Sequence, residues 1–185
     1  LVWVDAHCDN VIVEETERPD LRFVAVPLST IAGQTMRDWG RDFCRMARPL
    51  TAGEILLGDG HCSGAEEYEN LARAGIDRVL PAEFADTARW AARVQALADR
   101  VDAIYLMVDV DILRNEYIPA YFRPEPGGHA LETVLGNVRA VMRTGKVLAF
   151  SCFCVDFDKY AQGGETTFES GRQIIEAGLA AWAET

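Results

Sequence analysis

The sequence has no apolar run long enough to cross a bilayer and no basic stretch leading into a short apolar one, so neither a membrane span nor a secretory leader is expected. It is also short of positive charge, with 18 lysine and arginine residues against 29 acidic ones and a formal charge of -11. That imbalance reverses the phosphate attraction that drives binding to nucleic acid or anionic membranes, and it favours cations, both metals and guanidinium-like molecules. Cysteine is sparse and scattered: Cys8, Cys44, Cys62, Cys152 and Cys154 are odd in number and contain no C-x-x-C pair. A disulfide framework or a zinc ribbon is therefore excluded, and a reduced, cytoplasmic compartment is expected. There are no internal repeats and no low-complexity tract. There is no initiator methionine either, and Leu1 is read as lying inside a strand of something longer.

What is present is a chain of 185 residues, 49% hydrophobic, enough for one domain with a substantial core. Apolar runs alternate with amphipathic stretches, the pattern of βαβ units, so residues 1–185 are expected to form a single α/β domain. Strands are expected at 1–4, 21–28, 54–57, 79–80, 104–108 and 147–155, the last as a buried strand. Ser63 and Glu66 have the spacing of a capping box ahead of a helix that carries Tyr68, Leu71 and Ala72 on one face and stops at Gly75. A second helix over 87–100 presents Trp90, Val94 and Leu97. A third presents Val134, Leu135, Val138, Val141 and Met142 and ends at Gly145. The last is expected from about Thr167, capped through Thr166 and Glu169, with an apolar stripe of Ile174, Ile175, Leu179 and Trp182. Residues 111–128 are proline-rich and without periodicity, and they read as a loop walling a ligand site.

The chemistry sits in two short clusters, Asp5, His7 and Asp9 in V-D-A-H-C-D-N and Asp109 and Asp111 in M-V-D-V-D-I. Each follows a run that reads as a buried strand, and a spacing of two places alternate side chains on one face. Four carboxylates and an imidazole gathered at strand ends repel one another unless cations neutralise them, and such a donor set suits manganese or magnesium. An isolated D-x-D is usually no more than a turn or helix cap. The joint pattern outweighs that reading.

The ordered set D-A-H-x-D, D-x-D and then P-E-P-G-G at Pro124-Glu125-Pro126-Gly127-Gly128, with Pro119 between, resembles the ureohydrolases, the arginase, agmatinase and formiminoglutamase group. The resemblance runs from Leu1 to the terminal helix and covers the later part of such a chain. It implies a three-layer α/β/α fold with a mainly parallel sheet whose N-terminal strands are missing here. It also implies a binuclear manganese centre, with Asp5 and Asp109 bridging, His7 and Asp111 completing one metal and Asp9 joining the other. The second metal lacks a histidine that the family supplies from an earlier motif. The implied activity is hydrolysis of a carbon–nitrogen bond in a small cationic guanidino, amidine or formimino compound, with a homo-oligomer as the assembly that the family favours.

Two departures qualify the implied chemistry. The strand running into C-F-C-V-D-F-D places Cys154 where the family has a substrate-gripping Glu, and Asp156 where it has an Asn. Catalytic residues are therefore open among Cys154, His129 and Asp156, and a catalytically degenerate, metal-binding member of the family is the alternative. A lone thiol without a base is ordinarily inert. His61, in L-G-D-G-H-C-S-G, is read as a loop residue at a helix start, and His129 as facing solvent beside the loop.

Overall fold

The computed structural model describes residues 1–16, 23–121, 123, 125–155 and 164–185. Five strands, β1 (Val2–Asp5), β2 (Leu56–Asp59), β3 (Asp77–Val79), β4 (Ile104–Asp109) and β5 (Val147–Phe153), form one sheet in the order β3-β2-β1-β4-β5. Every pairing in it is parallel. The helices are α1 (Pro27–Ile31), α2 (Ala65–Ala74), α3 (Pro81–Ala85), α4 (Thr87–Ala98), α5 (Leu131–Met142) and α6 (Glu165–Trp182).

Parallel strands reach their neighbours only through crossovers, which lay helices on both faces and bury the central strands. Along β1 the side chains divide accordingly. Val2 and Val4 join Trp90, Val94 and Leu97 of α4, Val134, Val138 and Met142 of α5 and Ile174 of α6. Trp3 turns the other way and packs with Leu57, Met107, Leu28 of α1 and Leu71 of α2. The result is the expected three-layer α/β/α arrangement.

Three local expectations are corrected. Of the strand expected over 21–28, residues 21–22 lie outside the described residues and the rest is not a strand. Phe23 and Val24 are exposed, and Pro27 opens α1 instead, its ring fixing φ at a value suited to the first helical turn. β5 is an edge strand, with Leu148 75% and Phe153 48% exposed, because it pairs only with β4 among the described residues. An apolar run does not by itself distinguish edge from centre.

α6 begins at Glu165 after an N-cap Gly164, so Thr166 lies within the helix and does not cap it. Its buried face is Thr167, Ser170, Gly171, Ile174, Ala177, Gly178 and Ala181, while Ile175 and Leu179 point outward. Small residues won this face because the helix lies close against the sheet: a Cβ on Gly178 would come within 2.6 Å of the Phe150 ring.

Candidate metal centre

In an open parallel sheet, side chains that follow the carboxyl ends of the strands share one rim. The register aligns Asp5 of β1 with Asp59 of β2, while Val4 lies opposite Val108, so Asp109 continues the row on β4. Three adjacent strands thus end on a carboxylate each.

Local turns then fold the remaining donors back over this row. Asp109 caps the 3-10 turn Val110–Ile112 by accepting from the Asp111 N–H at 3.0 Å. Asp5 accepts from the His7 N–H at 2.7 Å. The two motifs are tied across the strand gap by the Ala6 N–H, which donates to Asp111 Oδ1 at 3.1 Å. The imidazole of His7 lies with Nδ1 2.8 Å from Asp111 Oδ2 and 3.5 Å from Asp5 Oδ1. Asp5, His7 and Asp111 each offer one ligand atom within 4.8 Å of the others. Asp109 is buried beside them, and Asp9, held at φ +49°, is enclosed nearby and senses the charges of His7, Asp109 and Asp111.

The electrostatics describe a donor set waiting for positive charge. Burial, followed by repulsion from Asp111, raises the Asp5 carboxyl well above the ordinary carboxylate range. Asp9 is raised in the same direction, again chiefly by burial. Asp109 is pushed to about 6 by burial and by Asp111. His7 is drawn up to about 12 by its hydrogen bonds to Asp111 and Asp5, a protonated imidazole partly compensating the acids. Hard divalent cations fit this oxygen-rich set and would relieve the repulsion between its members.

Three further residues close around the group. Tyr121 donates its hydroxyl to Asp111 Oδ2 at 3.0 Å. Glu125 sets Oε1 3.4 Å from His7 Nε2. Cys154, one residue past β5, is exposed at φ +63°, and desolvation followed by the charge of the nearby Asp109 raises its thiol. Asp156 lies outside the described residues.

One of the two remaining histidines is not where the sequence put it. His129 is buried, not solvent-facing, and bonds through Nε2 to the fully buried Asp59. His61 is more than a loop residue at a helix start, since its Nδ1 lies 2.9 Å from the other oxygen of Asp59 and its Nε2 lies 3.0 Å from the Pro126 carbonyl. Both of its partners accept, so the site favours the protonated ring, and the hydrogen bond to Asp59 raises the His61 pKa above its ordinary value. Asp59 therefore clamps the segment bearing Glu125 to the end of β2. Sequence reading passed over Asp59, although a buried run ending in D-G beside the D-A-H-x-D strand was a usable signal.

The clamp has a pH signature. His61 is raised, first by its hydrogen bond to Asp59, so its contribution to stability is fully present below the ordinary histidine value of 6.5 and fades as pH climbs through the raised value. Burial alone would lift Asp59, but the bonds from His129 and His61 outweigh it and hold the carboxyl below 3.8, so its contribution is lost only in stronger acid. The melting-temperature difference between wild type and His61→Gln should be widest between these two values and narrow towards pH 9. A difference that stays constant across that range would refute the clamp.

The match to known proteins agrees with this geometry. A family model described as the arginase family matches residues 1–178. Among solved structures, the arginase of Entamoeba histolytica in complex with L-ornithine superposes with a TM-score of 0.82 at 19% identity, over 96% of this chain and 58% of that one. Formimidoylglutamase of Bacillus subtilis gives 0.70 at 16%, over 97% and 52%. The proclavaminate amidino hydrolase of Streptomyces clavuligerus gives 0.64 at 21%, over 98% and 54%. The chain thus spans between half and three fifths of the length of these structures, and identities this low establish the fold alone. No curated protein matches it.

Proposed function

The chain belongs to the arginase family, and from that premise we propose that it hydrolyses a carbon–nitrogen bond in a small cationic guanidino, amidine or formimino compound at a two-manganese centre. The observation that carries this reading is the convergence of Asp5, His7 and Asp111, with Asp9 and Asp109 beside them, on one rim of the sheet. Asp5, His7, Asp109 and Asp111 would hold one cation, and Asp9 with the shared acids a second. Bound cations supply Lewis acidity and activate water near neutral pH.

The rest of the work falls to the chain itself. The acidic rim and the net charge of -11 draw a cationic substrate inward. Glu125, 11% exposed and anchored through the Asp59 clamp, presents a carboxylate at the mouth of the group. The Tyr121 hydroxyl fixes the orientation of Asp111.

One observation favours a second reading. Cys154 offers a neutral thiol at the end of β5, where the family resemblance implies a carboxylate, so the centre would bind metal without turning over. Loading the protein with manganese and measuring urea or ammonia release from arginine, agmatine and formiminoglutamate decides between them. Turnover of any of the three supports the hydrolase, stoichiometric manganese without turnover supports the degenerate member, and failure to take up manganese overturns both.

A further inference from the structure

We infer that Glu125 is a positioning residue for the metal centre: its carboxylate orients His7, and the Asp59 clamp at the end of β2 holds that carboxylate in place. The affinity of the rim for a cation is then set partly from outside the ligand group. The inference rests on the proposed metal centre and gives a function to a residue that need not coordinate anything. His7 presents its two ring nitrogens to different partners. Nδ1 faces the acids, 2.8 Å from Asp111 Oδ2 and 3.5 Å from Asp5 Oδ1, whereas Nε2 lies 3.4 Å from Glu125 Oε1. A carboxylate at Nε2 favours the tautomer with its proton there, which leaves the lone pair of Nδ1 for a cation and makes it a stronger donor. The Glu125 side chain is only 11% exposed, and an enclosed carboxylate is costly unless it is paired. Its other neighbour, Arg123 at 3.6 Å, is 74% exposed and screened by water. His7 is the enclosed partner.

The chain just after Glu125 fixes where that carboxylate lies. The Pro126 carbonyl is 3.0 Å from His61 Nε2, and His61 Nδ1 is 2.9 Å from Asp59 Oδ1. Gly127 and Gly128, at φ +89° and +84°, then turn the backbone so that His129 reaches the other oxygen of Asp59. The His129 N–H donates to the Ile112 carbonyl at 2.9 Å, one residue past Asp111. The turn leaves little slack, since a Cβ on Gly127 would lie 3.3 Å from His61 Nε2. Glu125 is thus tied to β2 on one side and to the segment carrying Asp111 on the other. Loosening the clamp at His61 releases Glu125, and through it His7, without touching a ligand.

The test is a double-mutant cycle on manganese affinity in the full-length protein, with the melting temperature of each metal-free variant recorded to establish that it is folded. Glu125→Ala should weaken manganese binding about 10- to 100-fold. Glu125→Gln, which keeps an acceptor opposite Nε2 but not its charge, should lose less. His61→Gln should weaken binding when made alone, yet add less than about twofold in the Glu125→Ala background, because its effect runs through the missing carboxylate. A merely structural role would lower the melting temperature without moving the affinity of the folded chain, or would give losses that add. Should Glu125→Ala fail to fold, the same cycle is run with Glu125→Gln. Wild-type affinity in the Glu125 variants, or fully additive losses in the double variant, overturns this inference and leaves the metal centre standing. Failure of the wild type to take up manganese overturns the proposed centre and this inference with it.

Discussion

Asp111→Asn is expected to weaken divalent-metal binding by at least about 100-fold. Outer hydrogen-bond partners of a ligand already cost 10- to 100-fold when removed, by rough comparison, and Asp111 contributes the ligand atom itself. The side chain that replaces it is nearly isosteric, so Asn Oδ1 can keep accepting from the Ala6 N–H at 3.1 Å. What disappears is a buried negative charge that raises the carboxyls of both Asp5 and Asp109. Metal at about 1,000 times its dissociation constant stabilises a fold by about 4.1 kcal/mol, and a hundredfold weaker site at the same concentration keeps only about 1.4. The measurement is the metal-induced rise in melting temperature. An undiminished rise in the variant would remove Asp111 from the centre.

Gly128→Ala should be among the most damaging single-methyl changes at the described residues, because the Cβ would meet backbone and not a side chain. Gly128 sits at φ +84°, and a Cβ there would lie 2.7 Å from both the carbonyl carbon and the oxygen of Leu113 and 2.8 Å from the Arg114 nitrogen. All three are backbone atoms held by the bridge between Leu113 and His129, in which the His129 N–H donates to the Ile112 carbonyl at 2.9 Å and the Arg114 N–H to the His129 carbonyl at 3.0 Å. Neither side can yield without breaking those bonds. A left-handed Ala costs about 1–2 kcal/mol and the overlap about 1–3 more, so roughly 2–5 kcal/mol in all. Displacing this strand also pulls His129 from Asp59 and Glu125 from His7. Chemical denaturation would show the loss, and a variant within about 0.5 kcal/mol of wild type would contradict the close packing.

How far the sequence foretold this centre depends on which interactions carry it. β1 and β4 were legible because buried parallel strands are continuous apolar runs, and the D-A-H-x-D and D-x-D clusters end them. The end of α2 at Gly75, at φ +68°, was equally plain. The edge position of β5 was not, because strand order depends on long-range pairing and not on any local pattern. Nor was the buried face of α6: Ile175 and Leu179 look like its core positions, yet close approach to β5 selects Gly171 and Gly178 instead. The Asp59 clamp stayed hidden for a related reason. Its partners His61 and His129 are 68 positions apart in the chain, and only the fold shows that they share a carboxylate.

Because every strand pair in the sheet is parallel, no part of it can close as a local hairpin. The bond from Ala6 to Asp111 spans 105 residues, and the donor group exists only once β1 and β4 lie side by side. Such long closures make folding slow, since the chain entropy is lost before the contacts form. A metal at the proposed centre would therefore be captured tightly only late in folding, after the central strands have met. The cation then acts on the rate of unfolding more than on the rate of folding, and a chelator would shorten the lifetime of the native chain without changing how quickly it forms.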